Sequence, residues 1–309
     1  MPDIKFSMSN FKNIGSGKFK SLISDYIALT KPGLTFVSVS TSVGGAFLGL
    51  QSSEDYLLLI QVFLGAYLAG AGAGILNNYL ERDLDARMTR TGLRPLPAKK
   101  ISSRNALYFG ILLSIAGIIF LTYFTTFKAG VITSITIFIY LVVYTPLKRV
   151  TPLALYIGGV AGALPPLIGF AAVTNNIKME GFLLFLILFL WQIPHFLSLA
   201  WTHRDDYERA GYKVSTVVDP SGSLTCWQIL VACFLLVPVS FLPALIKIGG
   251  PVYAVVSLTA SLYYLFRGVI FYRDRSIANA KKIFFTSIIY IPILFSTLVI
   301  DKLTDYSLF

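Results

Sequence analysis

The sequence has little charge and few of the residues that build soluble catalytic or metal sites. Asp, Glu, Lys and Arg make up 13% of the 309 residues, and there are only two histidines and two cysteines. So little charge cannot cover the surface of a soluble protein of this size. Cys226 and Cys233 are too few and wrongly spaced for a structural metal site, so we expect two buried free thiols.

Long apolar runs take the place of the missing charge. Hydrophobic residues make up 55% of the chain, and the mean hydropathy is +0.72. A helix of at least 18 uncharged residues can cross a hydrocarbon core of about 30 Å. Nine runs meet this length: residues 32–53, 56–80, 105–127, 129–147, 150–177, 181–202, 220–246, 248–266 and 283–300.

The nine runs lack the alternating pattern of a membrane β-barrel, and lipid offers no partner for an exposed backbone. The sequence therefore predicts an all-α polytopic membrane protein, with nine transmembrane helices in a single domain over residues 32–309. For the shorter runs, 129–147, 248–266 and 283–300, the alternative is a re-entrant or interfacial segment.

The basic residues are distributed unevenly between the two sides of the predicted bundle. If the nine helices alternate, 22 of the 26 Lys and Arg residues share one side with the N-terminus. The positive-inside rule then predicts a cytoplasmic N-terminus and an external C-terminus in the plasma (inner) membrane of a prokaryote. The net charge of +11 would reflect topology and contact with membrane lipid, not nucleic-acid binding. Residues 1–31 are predicted to form a cytoplasmic amphipathic segment.

Three oxygen-bearing side chains recur every fourth residue after the second run. Asn77, Glu81 and Asp85 share one face if that helix continues through its end. Carboxylates so close together repel each other, so we expect a positive group between them. Mg²⁺ prefers carboxylate and amide oxygens and keeps positions for phosphate oxygens. The alternative is a solvated helix end whose acids pair with neighbouring arginines.

The sixth run and the loop after it contain both histidines. Pro194 predicts a kink or a locally opened backbone, and His195, His203 and Asp206 can share a face, with Asp205 beside them. Two histidines next to an Asp-Asp pair favour a functional site over simple packing against a carbonyl group. Zinc is poorly supported, because a structural zinc site needs more Cys or His than the chain has.

Two further features lie in the fourth and fifth runs. Lys148 and Arg149 end the fourth run on the same side as both acidic segments, where they would hold a diphosphate or only anchor the helix topologically. Residues 158–169 are rich in small side chains, which permit close helix approach. Within them Pro165 and Pro166 predict a break, making room for a bulky ligand or for a neighbouring helix.

Taken together, these motifs resemble the UbiA-type intramembrane prenyltransferases, a family with nine transmembrane helices. Several segments are similar to the protohaem IX farnesyltransferase branch, and the similarity runs from Thr30-Lys31-Pro32 to about Gly211. Glu81 departs from that branch, which usually has Asp there. The segments are Asn77-Asn78-Tyr79, Arg90-Thr91, Arg94-Pro95-Leu96, Ala161-Gly162-Ala163, Pro165-Pro166, Trp191-Gln192 and Pro194-His195-Phe196.

The resemblance implies transfer of a farnesyl group from farnesyl diphosphate to a vinyl group of haem B, with addition of water, giving haem O and diphosphate. The farnesyl chain would lie in an apolar groove in a dry interior, and a downstream haem-modifying enzyme or oxidase assembly factor is a candidate partner. The resemblance implies three sets of residues: Asn77, Glu81, Asp85, Asp205 and Asp206 as catalytic ligands of Mg²⁺; Arg90, Arg94, Lys148 and Arg149 as diphosphate-binding residues; and His195 and His203 as haem-binding residues.

Two other functions compete with this reading. An aromatic, quinone-pathway polyprenyltransferase shares the first acidic segment, but usually begins it with Asn-Asp and lacks the Trp-Gln-x-Pro-His-Phe pattern. A membrane transporter also places polar residues at broken helices, but usually near the midplane and in paired repeats. Here the polar clusters lie at one face of the membrane without evident symmetry.

Overall fold

The computed structural model describes residues 16–52 and 55–305, which in these ranges form helices and connecting loops with no strand. One π-helical stretch, Ile139–Tyr144, joins α5 to α6. The α-helices are α1 (Ser16–Leu29), α2 (Pro32–Gly49), α3 (Tyr56–Asp85), α4 (Ser103–Phe124), α5 (Phe127–Phe138), α6 (Thr145–Leu147), α7 (Ala154–Ala163), α8 (Pro165–Thr174), α9 (Met179–Thr202), α10 (Arg204–Arg209), α11 (Ser215–Val218), α12 (Ser223–Leu245), α13 (Pro251–Arg273) and α14 (Ile277–Asp305).

The prediction of an all-α membrane protein is confirmed. In the described ranges, 8 helical segments are long and apolar enough to cross a membrane. The remaining predicted run forms α2, which has 18 residues but is less apolar because it contains many Ser, Thr and Gly residues. The three shorter runs lie in helical segments of 21, 23 and 28 residues, which favours full spans over re-entrant segments.

Small residues let α2 pack closely on the broken fifth span. A Cβ atom at Gly169 would collide with the carbonyl oxygen of Ser42, and one at Gly45 would collide with that of Pro166. Bare backbone at these two positions therefore allows α2 and α8 to approach directly, as small residues do between membrane helices.

The predicted break at the two prolines is confirmed, whereas Pro194 does not interrupt its helix. The fifth span divides at Leu164 into α7 and α8, and Pro165 opens α8. Pro is favourable at a first helical position, where its missing N–H has no intrahelical partner. Pro194 instead lies inside α9, which continues to Thr202. Cys226 and Cys233 are buried free thiols, as predicted.

The bundle end that carries the predicted site is built by helix endings. Here α3 ends at Asp85 and α9 ends at Thr202. The loops at residues 86–102 and 203–222 follow them, and we call this region the site end. The N-terminal α1 packs beside α3 and α4, where Leu22, Tyr26 and Leu29 join an apolar cluster. Of the predicted segment 1–31, residues 1–15 lie outside the described residues.

Candidate active site

The end of α3 brings the three predicted oxygen-bearing side chains together on a buried face. The helix continues past the uncharged run as far as Asp85, so one residue per turn points the same way. Asn77, Glu81 and Asp85 are only 2%, 5% and 3% exposed. The common face is thus confirmed, and the alternative of a solvated helix end is wrong for these three residues.

Each of the three side chains holds a cationic group that comes from outside α3. Lys31 donates to Asn77 Oδ1 at 2.6 Å, and Arg94 pairs with Asp85 at 2.7 Å. Lys148 forms an ion pair with Glu81. We call these six residues the α3 ionic cluster. Burying carboxylates at a membrane protein's edge requires such partners, because an unpaired buried charge is costly.

Lys31 is a site residue that the sequence did not reveal as one. It precedes α2 with φ 51° and ψ 56°, in the left-handed region, an uncommon conformation for a residue other than glycine. This conformation places its ammonium group against Asn77 instead of in water. Burial lowers the pKa of Lys31 to about 8, although Glu81 opposes that shift. A Lys directly before a helix-opening Pro was the only sequence signal.

Lys148 lies in an aromatic box at the end of α6. Its Nζ atom is 4.8 Å from the centre of the Tyr144 ring and 5.3 Å from that of Tyr212. Burial opposes its charge, but Tyr144 and Glu81 outweigh burial and raise the pKa of Lys148 above its ordinary value. Lys148 is therefore a permanent cation, held by ring faces that attract it.

A second layer of neutral groups orients the ionic cluster. Tyr212 donates its hydroxyl to Glu81 Oε1 at 3.1 Å. Asn77 donates through Nδ2 to Thr145 Oγ1 at 3.1 Å, and Thr145 in turn donates to the Tyr140 carbonyl. That carbonyl belongs to the π-helical stretch, a backbone form that is frequent at functional sites. Neither Tyr212 nor Thr145 carried a distinguishing sequence pattern.

The two acids of the second segment have different environments. Asp206, which is buried, pairs with Arg209. Its partial burial opposes ionisation, but hydrogen bonds from Thr89 and Arg209 hold the pKa of Asp206 below its usual range. Asp205 is turned outward, with 82% of its side chain exposed, and pairs with the adjacent Arg204 at 3.6 Å.

The loops of the two acidic segments contact each other directly. Arg209 donates to Thr89 Oγ1 at 2.9 Å, and the Lys213 backbone N–H donates to the Lys148 carbonyl at 2.9 Å. Met88 and Tyr212 pack together in a small apolar cluster between the loops. Tyr212 therefore links the second segment to Glu81 of the α3 ionic cluster, and Arg209 links it to the loop that follows α3. The sequence did not reveal these contacts, because the two segments are four spans apart.

The donor set at α3 fits a hard cation, although the predicted five-residue set does not converge. Asn77, Glu81 and Asp85 have buried side-chain oxygens that already bind positive groups. Carboxylate and amide oxygens are also the ligands that Mg²⁺ prefers. Within residues 16–52 and 55–305, no group of three or more His, Cys, Asp or Glu side chains is arranged to hold a metal ion. Asp205 in particular is separate, because it faces outward.

Three other predicted residues lie at the surface of the site end. Arg90 and Arg149 are both exposed; Arg149 donates to the Leu80 carbonyl at 3.2 Å. His203 directly follows α9 and is partly exposed, and no hydrogen bond of its imidazole is found among the described residues. Their assigned roles remain predictions.

His195 lies inside the bundle, away from the ionic cluster along α9. It precedes the end of the helix by seven residues, about 10 Å at the helical rise. Its ring stacks between Trp191 and Phe284, with centroid distances of 4.9 Å to each. Its Nδ1 atom is 2.7 Å from Ser287 Oγ. Ser287 and Phe284 belong to α14 and were not among the predicted site residues.

Two apolar grooves lie at the surface of the bundle. One, of about 330 Å³, lies between α1 and Phe109. The other, of about 550 Å³, lies between α2 and α14 and is lined by Val43, Phe47, Phe295 and Val299. Neither groove contains the α3 ionic cluster. Both are apolar enough to accept a hydrocarbon chain.

With this geometry established, comparison with known proteins gives the family. The profile of the UbiA prenyltransferase family matches residues 38–289. The chain belongs to this family. Among curated UbiA-type relatives, the protoheme IX farnesyltransferase of Solibacter usitatus (strain Ellin6076) is 38% identical over 90% of this chain and 98% of its own length. That of Salinibacter ruber (strain DSM 13855 / M31) is 39% identical over 91% and 99%.

Solved structures of UbiA-type proteins have the same fold. A structure of digeranylgeranylglyceryl phosphate synthase gives a TM-score of 0.74 at 18% identity, covering 91% of this chain and 98% of its own. A UbiA homologue from Archaeoglobus fulgidus, bound to GPP and Mg²⁺, gives 0.63 at 18% identity, covering 89% and 99%. The α3 ionic cluster is therefore carried on a UbiA-type prenyltransferase fold.

Proposed function

We propose that this protein transfers a farnesyl group from farnesyl diphosphate to a vinyl group of haem B, with addition of water, giving haem O and diphosphate. The observation that carries the proposal is the α3 ionic cluster, in which three partly buried cations face two buried carboxylates. Such a cluster has an excess of positive charge that an anionic diphosphate would balance. The choice of haem as the acceptor is supported by the relatives named protoheme IX farnesyltransferase, which are similar to this chain over nearly their whole length.

The cations of the cluster would bind the diphosphate and stabilise it as it leaves. Breaking the bond between farnesyl C1 and oxygen concentrates negative charge on diphosphate, and preorganised cations lower the energy of that state. Lys148 and Arg94 are fixed by Glu81 and Asp85, so little reorganisation is needed. Lys31, which donates to Asn77 Oδ1, adds a third cation.

The α3 oxygens would hold Mg²⁺ beside the diphosphate. Asn77, Glu81 and Asp85 are the proposed ligands, and the Archaeoglobus fulgidus homologue of the same fold was solved with GPP and Mg²⁺. When bound, the ion supplies Lewis-acid stabilisation of the leaving phosphate oxygens. Because Glu81 and Asp85 pair with Lys148 and Arg94, the proposed Mg²⁺ ligands lie directly beside the cations that would bind the diphosphate. Asp206 would orient Arg209 and Thr89 at the rim.

The bond between farnesyl and the haem vinyl group would form in the interior of the bundle. The farnesyl cation forms a C–C bond from C1 to the terminal vinyl carbon, which leaves positive charge on the vinyl carbon next to the ring. Water adds to that carbon and loses a proton. Bulk water would quench the allylic cation first, so a dry apolar interior is required. His195, about 10 Å inside α9, is the proposed contact to haem.

The test is product formation by purified protein in detergent with haem B, farnesyl diphosphate and Mg²⁺, with and without a chelator. We expect a haem product heavier by a farnesyl group plus water, and its loss on chelation. A matched pair of variants, Asp85→Asn and the exposed Asp83→Asn, distinguishes a site effect from damage to α3. Prenylation of an aromatic acceptor with haem left unchanged would replace this proposal with a quinone-pathway function.

A further inference from the structure

His195 and Trp191 are both attached to one residue of α14. Trp191 Nε1 donates to the Ser287 backbone carbonyl at 2.8 Å, and His195 Nδ1 lies 2.7 Å from the Ser287 hydroxyl. Ser287 is fully buried. Because Trp191 and His195 are one turn apart on α9, Ser287 fixes both rings through two different groups, its carbonyl and its side chain.

The Ser287 hydroxyl has only one hydrogen, and that hydrogen is already used. Ser287 Oγ donates to the Phe284 carbonyl at 2.5 Å, one turn earlier on α14. A serine hydroxyl donates once and accepts twice. Towards His195, Ser287 Oγ must therefore accept, so the hydrogen of that contact belongs to Nδ1.

The remaining ring nitrogen, Nε2, has no hydrogen-bond partner within residues 16–52 and 55–305. With Nδ1 protonated, neutral imidazole carries its lone pair on Nε2. Among the described residues no hydrogen bond to Nε2 is found, and Nε2 is not one of the fully enclosed polar atoms that lack a partner. Trp191 and Phe284 cover the two ring faces. The lone pair therefore lies in the ring plane, and no donor to it is found among the described residues.

We propose that Ser287 is a positioning residue that holds His195 in the Nδ1–H tautomer, so that Nε2 is ready to bind the iron of the substrate haem. This inference rests on the proposed function for the identity of the ligand, but the tautomer itself does not. Histidines that bind metals usually donate their other ring N–H to a nearby acceptor, which fixes tautomer and orientation. A histidine used only for packing in an apolar interior would leave no nitrogen unsatisfied.

The tautomer can be read directly, because His195 and His203 are the only histidines in the chain. Protein labelled with ¹⁵N in its imidazoles, in detergent micelles without haem, gives two histidine signals, and His203→Gln assigns them. We expect a protonated Nδ1 and an unprotonated Nε2 for His195. Ser287→Ala should give a mixture of tautomers, whereas Ser287→Thr, which keeps the hydroxyl, should restore the wild-type pattern.

A matched control is Ser198→Ala, which removes a buried hydroxyl that bonds to the His195 backbone carbonyl and leaves the imidazole untouched. Its histidine spectrum should match wild type. Haem B is then added to the protein, and binding of its iron by His195 is detected as an iron–imidazole stretching band in the resonance Raman spectrum. We expect Ser287→Ala to lower haem affinity about tenfold, as loss of a supporting hydrogen bond does elsewhere, and Ser287→Thr to recover it.

A protonated Nε2 on His195 in wild-type protein would overturn the inference. This test needs no Ser287 variant, so it holds even if those variants fold poorly. An unchanged band and affinity in His195→Ala would overturn the iron contact. If instead wild-type protein made no farnesylated haem but showed the expected tautomer, the proposed function would fail and the role of Ser287 would stand.

Discussion

The two acidic segments of this protein have similar composition but are built differently. The first lies on the last two turns of a 30-residue helix, so its oxygens follow one buried face and receive cations from three other parts of the chain. The second lies on α10, where the two acids are adjacent residues about 100° apart around the helix axis, so Asp206 faces inward and Asp205 faces outward. The spacing of the acids along the helix, four residues in α3 and one residue in α10, therefore decides whether they share a face.

The largest effect is expected at Asp85. Asp85→Asn keeps the shape but leaves Arg94 without its carboxylate, and it removes a proposed Mg²⁺ ligand. Removing one partner of a buried ion pair costs about 3–5 kcal/mol, and the loss of a site electrostatic group lowers rates by about 10²–10³. We expect haem farnesylation to fall about a thousandfold. Asp83→Asn is the control, because the Asp83 side chain is 77% exposed; equal loss in both variants would contradict the comparison.

Lys148 ranks next, because it is the cation of the aromatic box. Lys148→Met removes the partner of Glu81 and a proposed diphosphate contact, so we expect a loss of about a hundredfold in kcat/KM for farnesyl diphosphate. Arg149 is the matched neighbour, since it is exposed and donates to the Leu80 carbonyl, not to an acid of the cluster. Steady-state kinetics should show less than a threefold change for Arg149→Gln, and a reversed order of the two effects would show that the box is not the diphosphate site.

The two adjacent acids of α10 sharpen the comparison within one turn of helix. Asp206→Asn weakens the contact to Arg209 and Thr89 that joins the two loops. Because the Arg209 side chain is 56% exposed and solvent screens such a pair, we expect activity to fall only about tenfold. For the exposed Asp205, Asp205→Asn should change activity less than threefold. The measurement is haem farnesylation by the two variants. A larger loss of activity in Asp205→Asn than in Asp206→Asn would support Asp205 as a Mg²⁺ ligand and contradict this prediction.

The smallest effect is expected at His203. His203→Ala removes a partly exposed imidazole for which no hydrogen bond is found among the described residues, so haem affinity should change less than twofold. His195→Ala, in contrast, should lose most of the affinity. Absorbance titration with haem B compares the two variants, and a stronger loss in His203→Ala would assign haem to the site end instead of the interior.

The sequence predicted most of the fold, because membrane helices are specified by long uncharged runs. It also predicted the common face of Asn77, Glu81 and Asp85, since a period of four residues is a local property of a helix. The break between α7 and α8 followed equally well from two adjacent prolines. These features depend on neighbours within a few residues, which is the range that sequence patterns report.

Contacts between distant segments were beyond the sequence. Lys31 reaches Asn77 only because the chain turns through a left-handed residue before α2, and no periodic pattern marks that turn. Tyr212 reaches Glu81 across 131 positions, and Ser287 reaches His195 across 92. The grouping of Asp205 with Asp206 failed for a local reason, because adjacent residues on a helix point in different directions.

The most direct measurement of the central claim is Mg²⁺-dependent binding of farnesyl thiodiphosphate, a slowly reacting analogue, by calorimetry in detergent and without haem. Wild-type protein and Asp83→Asn should bind the analogue only when Mg²⁺ is present, and Asp85→Asn should lose that binding. Equal affinity in Asp85→Asn and wild type, or binding that is indifferent to Mg²⁺ in all three proteins, would contradict the assignment of the α3 ionic cluster as the diphosphate site.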